Sequence, residues 1–122
     1  MILADTSIWI DHFRSGNDEL RKQLISRRIV MHPFIVAELA LGSLRERTKT
    51  LAFLDLLPRV RMAQLDEVRQ MIEMRSLYSR GIGLADAHLI ASIFINPSTR
   101  LWTKDKRLRG IAEALGIHAN LP

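Results

Sequence analysis

The sequence predicts a single α/β domain in which a central parallel β-sheet is flanked by helices on both faces. Two observations lead to this fold class. Short segments that are apolar on consecutive residues alternate with longer helical segments, and continuous apolar runs are typical of parallel strands that are buried on both faces. The 122 residues suffice for one domain with its own core, and no linker or repeat divides them. We therefore expect one domain over residues 1–122.

Short apolar segments bounded by turn or helix-start residues predict the strands. The first of them, in MILADTS, ends at an Asp-Thr-Ser sequence that is typical of the start of a helix. Alternation of such segments with helices favours parallel pairing. The predicted strands are Met1–Ala4, Arg28–Met31, Val60–Met62, Arg100–Thr103 and Ile117–Ala119.

Proline, glycine and capping residues bound the predicted helices. Pro33 suits the first turn of a helix, whereas Gly42 and Pro58 end helices and Gly83 precedes one. The predicted helices are Ser7–Arg14, Glu19–Ser26, Pro33–Leu41, Leu44–Leu57, Asp66–Ser79, Leu84–Ile95 and Lys106–Leu115.

The composition narrows the kinds of site that this domain can form. The sequence has no cysteine, which excludes disulfides and thiolate-bound zinc, and its four histidines form no pair at metal-ligand spacing. A bound ion would therefore have oxygen ligands, as Mg²⁺ or Mn²⁺ does. The sequence shows no signal peptide and no apolar run long enough to span a bilayer. We expect a cytoplasmic protein without a membrane segment.

Four carboxylates lie at the ends of apolar elements. Asp5 follows the first strand, Asp105 follows the segment RLWTK, and Glu38 and Asp86 are each the only charged residue in a long apolar stretch. A carboxylate that leaves water without a cationic partner destabilises the fold or takes up a proton. No Lys or Arg lies in the stretches around Glu38 and Asp86. We therefore interpret the four acids as ligands of a divalent ion.

Three of the four acids, taken singly, also have a structural interpretation. Asp5 and Asp105 suit helix N-caps, and Asp86 lies in the first turn of its helix, where the helix dipole favours a negative charge. Glu38 lies in mid-helix on the face of Phe34 and has no such interpretation. Together the four acids favour a metal site over separate caps.

The basic residues indicate an anionic partner. The net charge is +5, and arginine outnumbers lysine among the 18 basic residues, which favours paired hydrogen bonds to phosphate or carboxylate groups. A solvated helix face is the alternative interpretation for each of them. The candidate phosphate-binding residues, all close to Asp105, are Lys104, Lys106, Arg107 and Arg109.

Four sequence motifs, in this order, resemble those of PIN-domain ribonucleases and, more narrowly, of the VapC toxins of bacterial toxin–antitoxin pairs. They are ILADTSIWID, HPFIVAELALG, GIGLADAHLIAS and LWTKDKRL, and they span nearly the whole chain. The resemblance implies a PIN-like domain over residues 1–122 and an endoribonuclease that hydrolyses RNA phosphodiester bonds with carboxylate-held Mg²⁺ or Mn²⁺. It also implies a homodimer, the toxin role in a type II pair and a cognate VapB-type antitoxin.

The same resemblance assigns roles to individual residues. The acidic quartet of the family, which supplies both metal ligands and catalytic groups, falls on Asp5, Glu38, Asp86 and Asp105. Thr6 or Ser7, and Thr103, match hydroxyl positions beside the metal. The segment 45–78 matches in general character only, so the resemblance implies no particular RNA.

Two other interpretations stay open at this point. A phosphorelay receiver domain has a similar length and sheet, and would use Asp55 as phosphoacceptor with Thr103 and Lys104 beside it. It would also need adjacent acids after its first strand, where this sequence has Asp5 followed by Thr6. A non-catalytic nucleic-acid-binding module would explain the basic charge but not the acids in apolar stretches.

Overall fold

A parallel three-stranded sheet lies at the centre of the computed structural model, which describes all 122 residues. The strands are β1 (Ile2–Ala4), β2 (Ile29–Val30) and β3 (Arg100–Trp102), and their order across the sheet is β2-β1-β3. All three residues of β1 are buried. Because side chains alternate between the two faces of a strand, both faces of the sheet are covered, as predicted.

Seven helices surround the sheet, and none of them has the length and apolar character to cross a membrane. They are α1 (Thr6–Ser15), α2 (Asp18–Ile25), α3 (Pro33–Ala40), α4 (Arg47–Leu56), α5 (Leu65–Met74), α6 (Leu84–Ile95) and α7 (Lys106–Ala114). The chain passes from β1 to its neighbour β2 on one side and then crosses to β3, which pairs with β1 on the other side. They therefore change direction between β1 and β3, where open α/β sheets bind their ligands.

Helix α6 is the most deeply buried helix, and Asp86 lies in its first turn, at the boundary of the core. Seven consecutive residues of this helix, 87–93, are buried. The largest fully buried side chains of the core are Trp9 of α1 and Trp102 of β3. Asp86 immediately precedes the buried run, so the packing of α6 fixes the backbone at this acid.

Two predicted strands, 60–62 and 117–119, are wrong: the chain pairs with the sheet at one residue just before the first segment and at one residue within the second. Arg59 pairs in parallel with Met31 beside β2, and His118 pairs in parallel with a residue of β3. Pro58 has no N–H with which to extend the first pairing. After the second pairing Asn120 adopts a positive φ of 59°, which turns the chain away from the sheet.

Two helices differ from their predicted bounds. Helix α4 begins at Arg47 instead of Leu44, because Glu46 has a left-handed backbone with a φ of 47°. Helix α5 ends at Met74, short of the predicted end at residue 79, and Ser76 has a φ of 52° just beyond it. The other five helices agree with the prediction to within one residue at each end.

Candidate active site

Asp5 follows β1 and has the only buried carboxylate among the four acids, with 4% of the residue exposed. Its backbone N–H donates to the carbonyl of Trp102 at 3.0 Å, which ties the end of β1 to the end of β3. Oδ1 accepts hydrogen bonds from the Ser7 N–H (3.0 Å), the Ser7 hydroxyl (2.5 Å) and the Ile8 N–H (3.4 Å). Oδ2 accepts one from the Thr103 hydroxyl (2.5 Å). Asp5 is thus the N-cap of α1 and the link between β1, α1 and β3.

The hydroxyls that donate to this carboxylate also hold the chain that follows β3. Ser7 Oγ accepts from the N–H of Lys104 at 2.9 Å, and Thr103 Oγ1 accepts from the N–H of Asp105 at 3.0 Å. The two hydroxyl oxygens lie 3.4 Å apart. Thr6 is half-buried at the first position of α1. Between the two predicted alternatives, Ser7 is therefore the hydroxyl residue that contacts the acid.

The other three acids lie at the rim of the core, which corrects the expectation that all four are withdrawn from water. Asp86 is half-buried in the first turn of α6, and Glu38 and Asp105 are exposed. Asp105 is also the N-cap of α7, since its Oδ1 accepts from the Leu108 N–H at 3.0 Å. The capping interpretation and the site interpretation of this residue are therefore compatible.

The four carboxylates interact electrostatically. Burial raises the pKa of Asp5, although its hydrogen bonds act in the opposite direction. Glu38 is exposed as a residue, but partial desolvation of its carboxylate raises its pKa, and the charges of Asp86 and Asp5 raise it further. The pKa of Asp86 is raised by burial and then by the charges of Asp105 and Asp5. The charges that shift these groups are other carboxylates, so the cluster favours a cation.

The donor chemistry of this cluster fits a hard divalent ion. No three acidic or histidine side chains surround one point closely enough to form a finished coordination shell. Mg²⁺, however, usually keeps several of its waters and needs only one or two carboxylates. Asp5 Oδ2 accepts a single hydrogen bond and so keeps a lone pair for an ion. Glu38 and Asp105 are exposed, which leaves their side chains room to turn toward it.

Two of the four candidate phosphate-binding residues already have carboxylate partners. Lys104 Nζ lies 2.9 Å from Asp11 Oδ2, which joins the end of β3 to α1. Arg109 Nε lies 2.7 Å from Glu113 Oε1, one turn further along α7. Both pairs are at least a third exposed, so water weakens their attraction.

The other two candidates, Lys106 and Arg107, are exposed and form no ion pair. Arg107 lies against the loop that leads into α6. One of its guanidinium nitrogens lies 3.5 Å from the carbonyl oxygen of Gly81. Gly81 has a φ of +79°, and a Cβ there would lie 2.8 Å from the same guanidinium. Arg107 therefore lies beside the loop that positions Asp86.

The sequence reasoning missed several residues that support the site. Asp11 holds the lysine beside the site and also accepts a hydrogen bond from Asn17. His32 caps α3, since its Nδ1 accepts from the Phe34 N–H at 2.9 Å, and its Nε2 lies 3.1 Å from Ser92 Oγ. Histidine is not one of the usual N-cap residues, so the sequence carries no clear signal for this cap. No pattern in the sequence marks Asp11 or Ser92.

An open hollow of about 590 Å³ adjoins Glu38. Its apolar wall includes Ile10 and Phe13 of α1, which are 45% and 37% exposed. Arg14 and Arg45 add positive charge to the same hollow. Apolar side chains, two arginines and the acids Glu38 and Glu46 thus line one hollow.

The structure does not favour the receiver-domain alternative. Asp55 is an exposed residue of α4, and its Oδ1 lies 2.8 Å from Arg59. The phosphoacceptor of a receiver domain would lie at the carboxyl edge of the sheet, where this chain has Asp5 and Thr103. The residues brought together at that edge are the acids and hydroxyls of the four motifs.

Comparison with known proteins gives the same result as the four motifs. The sequence matches the PIN domain over residues 2–114. It is 38% identical over 117 residues to Ribonuclease VapC32 of Mycobacterium tuberculosis strain CDC 1551 / Oshkosh, and the alignment covers 96% of this chain and 94% of that protein. Ribonuclease VapC32 of strain ATCC 25618 / H37Rv matches with the same identity and coverage. Since the domain match runs from the first residue of β1 to the last residue of α7, this chain belongs to the PIN-domain family.

Proposed function

We propose that the protein is a divalent-metal-dependent endoribonuclease and the toxin of a type II toxin–antitoxin pair. The observation that carries this proposal is the group of carboxylates around the end of β1: the charges of Asp86 and Asp5 raise the pKa of Glu38, and those of Asp105 and Asp5 raise the pKa of Asp86. RNA as substrate is supported by the 38% identity to Ribonuclease VapC32. Mg²⁺ or Mn²⁺ is the ion that the all-oxygen donor set suits.

Asp5 would be the central ligand of the ion. Its Oδ1 already accepts three hydrogen bonds, so Oδ2 is the oxygen available for coordination. Hydrogen bonds from the hydroxyls of Ser7 and Thr103 hold this carboxylate in one orientation, as the hydrogen-bond partners of metal ligands commonly do. Asp86 and Asp105 would complete the protein ligands. When bound, a divalent ion lowers the pKa of a coordinated water and neutralises charge on a phosphoryl oxygen.

Glu38 would orient the attacking water or hold a second ion. It is exposed and therefore reaches both water and substrate. Burial and the charges of Asp86 and Asp5 raise its pKa, and a carboxylate with a raised pKa is a better proton acceptor at neutral pH. Lys106 and Arg107, which have no acidic partner, would contact the RNA phosphates.

The partners of this function would be a VapB-type antitoxin and a second copy of the chain. The hollow beside Glu38 suits an antitoxin segment with apolar and acidic side chains, because Ile10 and Phe13 form an apolar wall and Arg14 and Arg45 line the same hollow. Light scattering of the purified protein tests the homodimer: twice 14.0 kDa supports it and 14.0 kDa contradicts it. The cytoplasmic location stays a prediction.

Asparagine substitutions test the catalytic assignment. Asp5→Asn and Asp86→Asn should each abolish metal-dependent RNA cleavage while circular dichroism stays unchanged. The amide has nearly the same shape as the carboxylate, but it cannot neutralise an ion. Asp55→Asn, on α4, is the matched control and should keep full activity. Cleavage that persists in chelator, or in both site variants, would contradict the proposal.

A further inference from the structure

Helices α3 and α6, which carry Glu38 and Asp86, meet at a small buried contact. His32, the N-cap of α3, and Ser92 of α6 are both fully buried, and His32 Nε2 lies 3.1 Å from Ser92 Oγ. Beside them the rings of Phe34 and His88 pack with their centroids 4.4 Å apart. Because residues 88 and 92 are one helical turn apart, both contacts lie on one face of α6.

The hydrogen bonds of His32 fix both the direction of its ring and the nitrogen that carries its proton. Nδ1 accepts from the Phe34 N–H at 2.9 Å, so the proton of the neutral ring is on Nε2. Nε2–H then donates to Ser92 Oγ. The ring therefore spans the two helices as a rigid link with a hydrogen bond at each end.

The same face of α3 carries Phe34 and, one turn later, Glu38. The charge of Asp86 has the largest electrostatic effect on the pKa of Glu38. In the absence of an ion, this repulsion pushes the ends of α3 and α6 apart. The docking of α3 on α6 therefore sets the distance between the two carboxylates.

We propose that His32 is a positioning residue, which holds α3 against α6 through Ser92 and so sets the separation of Glu38 and Asp86. The inference rests on the proposed function, because that separation matters for the ion that the acids bind. It requires no titration of His32 and no direct contact between His32 and the ion.

Mn²⁺ binding, followed by electron paramagnetic resonance without RNA, tests this role. Ser92→Ala and His32→Asn should each weaken Mn²⁺ binding by about tenfold, the lower limit for residues that orient metal ligands. Ser92→Thr, which keeps the hydroxyl, should restore most of the affinity. Asn96→Ala is the control: it removes side-chain hydrogen bonds to the backbone carbonyls of Ser92 and Arg61 but leaves the Ser92 hydroxyl and the His32 ring in place.

The distance between the helices gives a second readout that needs no metal. The natural sequence has no cysteine, so spin labels at Ala37→Cys on α3 and Leu84→Cys on α6 are unique. Pulsed electron paramagnetic resonance should give a narrow distribution of the distance between the two labels in the double-cysteine protein. The distribution should become broader when Ser92→Ala is added. The inference is overturned if the distribution does not change, or if Asn96→Ala weakens Mn²⁺ binding as much as Ser92→Ala does. A parent protein that binds no Mn²⁺ refutes the proposed function instead, and the label distances still decide the role of His32.

Discussion

His32 makes the stability of the protein depend on pH, because it is buried in its neutral form. Burial lowers its pKa from 6.5 to about 4, and the charge of His88 acts in the same direction. Between these two values the unfolded chain binds a proton that the folded protein excludes. The contribution of His32 to the free energy of unfolding is therefore complete above about pH 6.5 and is lost as the pH falls toward 4.

His32→Asn should reduce this pH dependence. Asparagine can still cap α3, but it takes up no proton. Between about pH 7 and pH 4.5 the wild type should lose about 2–3 kcal/mol more free energy of unfolding than the variant does. Urea unfolding at the two pH values measures the difference. Ser92→Ala keeps the titrating ring and should keep the wild-type loss. An equal loss in His32→Asn would show that another group is responsible.

At the residue scale, the position of Asp5 at the end of a buried strand could be predicted, but the exposure of Glu38 and Asp105 could not. Asp5 follows a strand whose residues are all buried, and the sequence alone indicates this position. Glu38 shares a helical face with Phe34 yet is exposed, because α3 packs on α6 near its first turn and the face beyond opens toward the hollow. Burial on a helix depends on what packs opposite, and a single sequence does not contain that information.

At the scale of elements, the β3–α7 segment combines an acid of the site with most of the nearby positive charge. Asp105 caps α7, and Lys106 and Arg107 follow it at the first two positions of the helix. Lys104 and Arg109 are paired with carboxylates, whereas these two are not. We therefore expect Lys106 and Arg107 to contribute most to RNA binding.

Replacing both Lys106 and Arg107 with Gln should make RNA binding less dependent on salt. Each lost phosphate contact lowers the log–log slope by up to about 0.7 for single strands, and the affinity should fall equally for RNAs of different sequence. Fluorescence anisotropy in chelator measures binding without cleavage. Arg59→Gln removes a charge at the opposite edge of the sheet and should leave the slope unchanged. An unaltered slope in the double variant would assign its two residues to a solvated face.

The elements themselves were predictable where local signals agreed with packing. Helix α6 has its predicted bounds because Gly83 precedes it and Asn96 follows it, and because residues 87–93, which point to every side of the helix, are buried. The start of α4 was not predictable, because Glu46 adopts a φ of 47° that is rare for a residue other than glycine, asparagine or aspartate. The segment at 60–62 has the composition of a strand, but the chain pairs with the sheet only at Arg59, just before this segment.

At the scale of the whole molecule, the fold brings acids from four distant parts of the chain close enough to interact electrostatically. Burial raises the pKa of Asp5, Glu38 and Asp86, and the charges of neighbouring carboxylates raise the pKa of Glu38 and Asp86 further. The folded protein without metal therefore binds more protons than the unfolded chain does once the pH exceeds their ordinary pKa of about 4. The free energy of unfolding of the metal-free protein therefore falls as the pH rises from about 4 through the raised pKa values. At neutral pH the metal-free cluster thus destabilises the fold, and a bound cation reverses the effect.

Glu38→Gln tests two effects of the carboxylate cluster: destabilisation of the metal-free fold by repulsion, and stabilisation of the fold by bound Mg²⁺. Without metal, the variant should melt at the same temperature as the wild type or higher, because one of the repelling charges is gone. Mg²⁺ that binds only the folded state should raise the wild-type melting temperature, by an amount that corresponds to about 2.7 kcal/mol at 100 times the dissociation constant. The increase should be smaller in the variant. Thermal melts in chelator and in Mg²⁺ measure both effects, with Glu46→Gln, an acid of the same hollow, as the control. If Glu38→Gln instead lowers the melting temperature and Mg²⁺ affects neither protein, Glu38 is a structural residue and no part of a metal site.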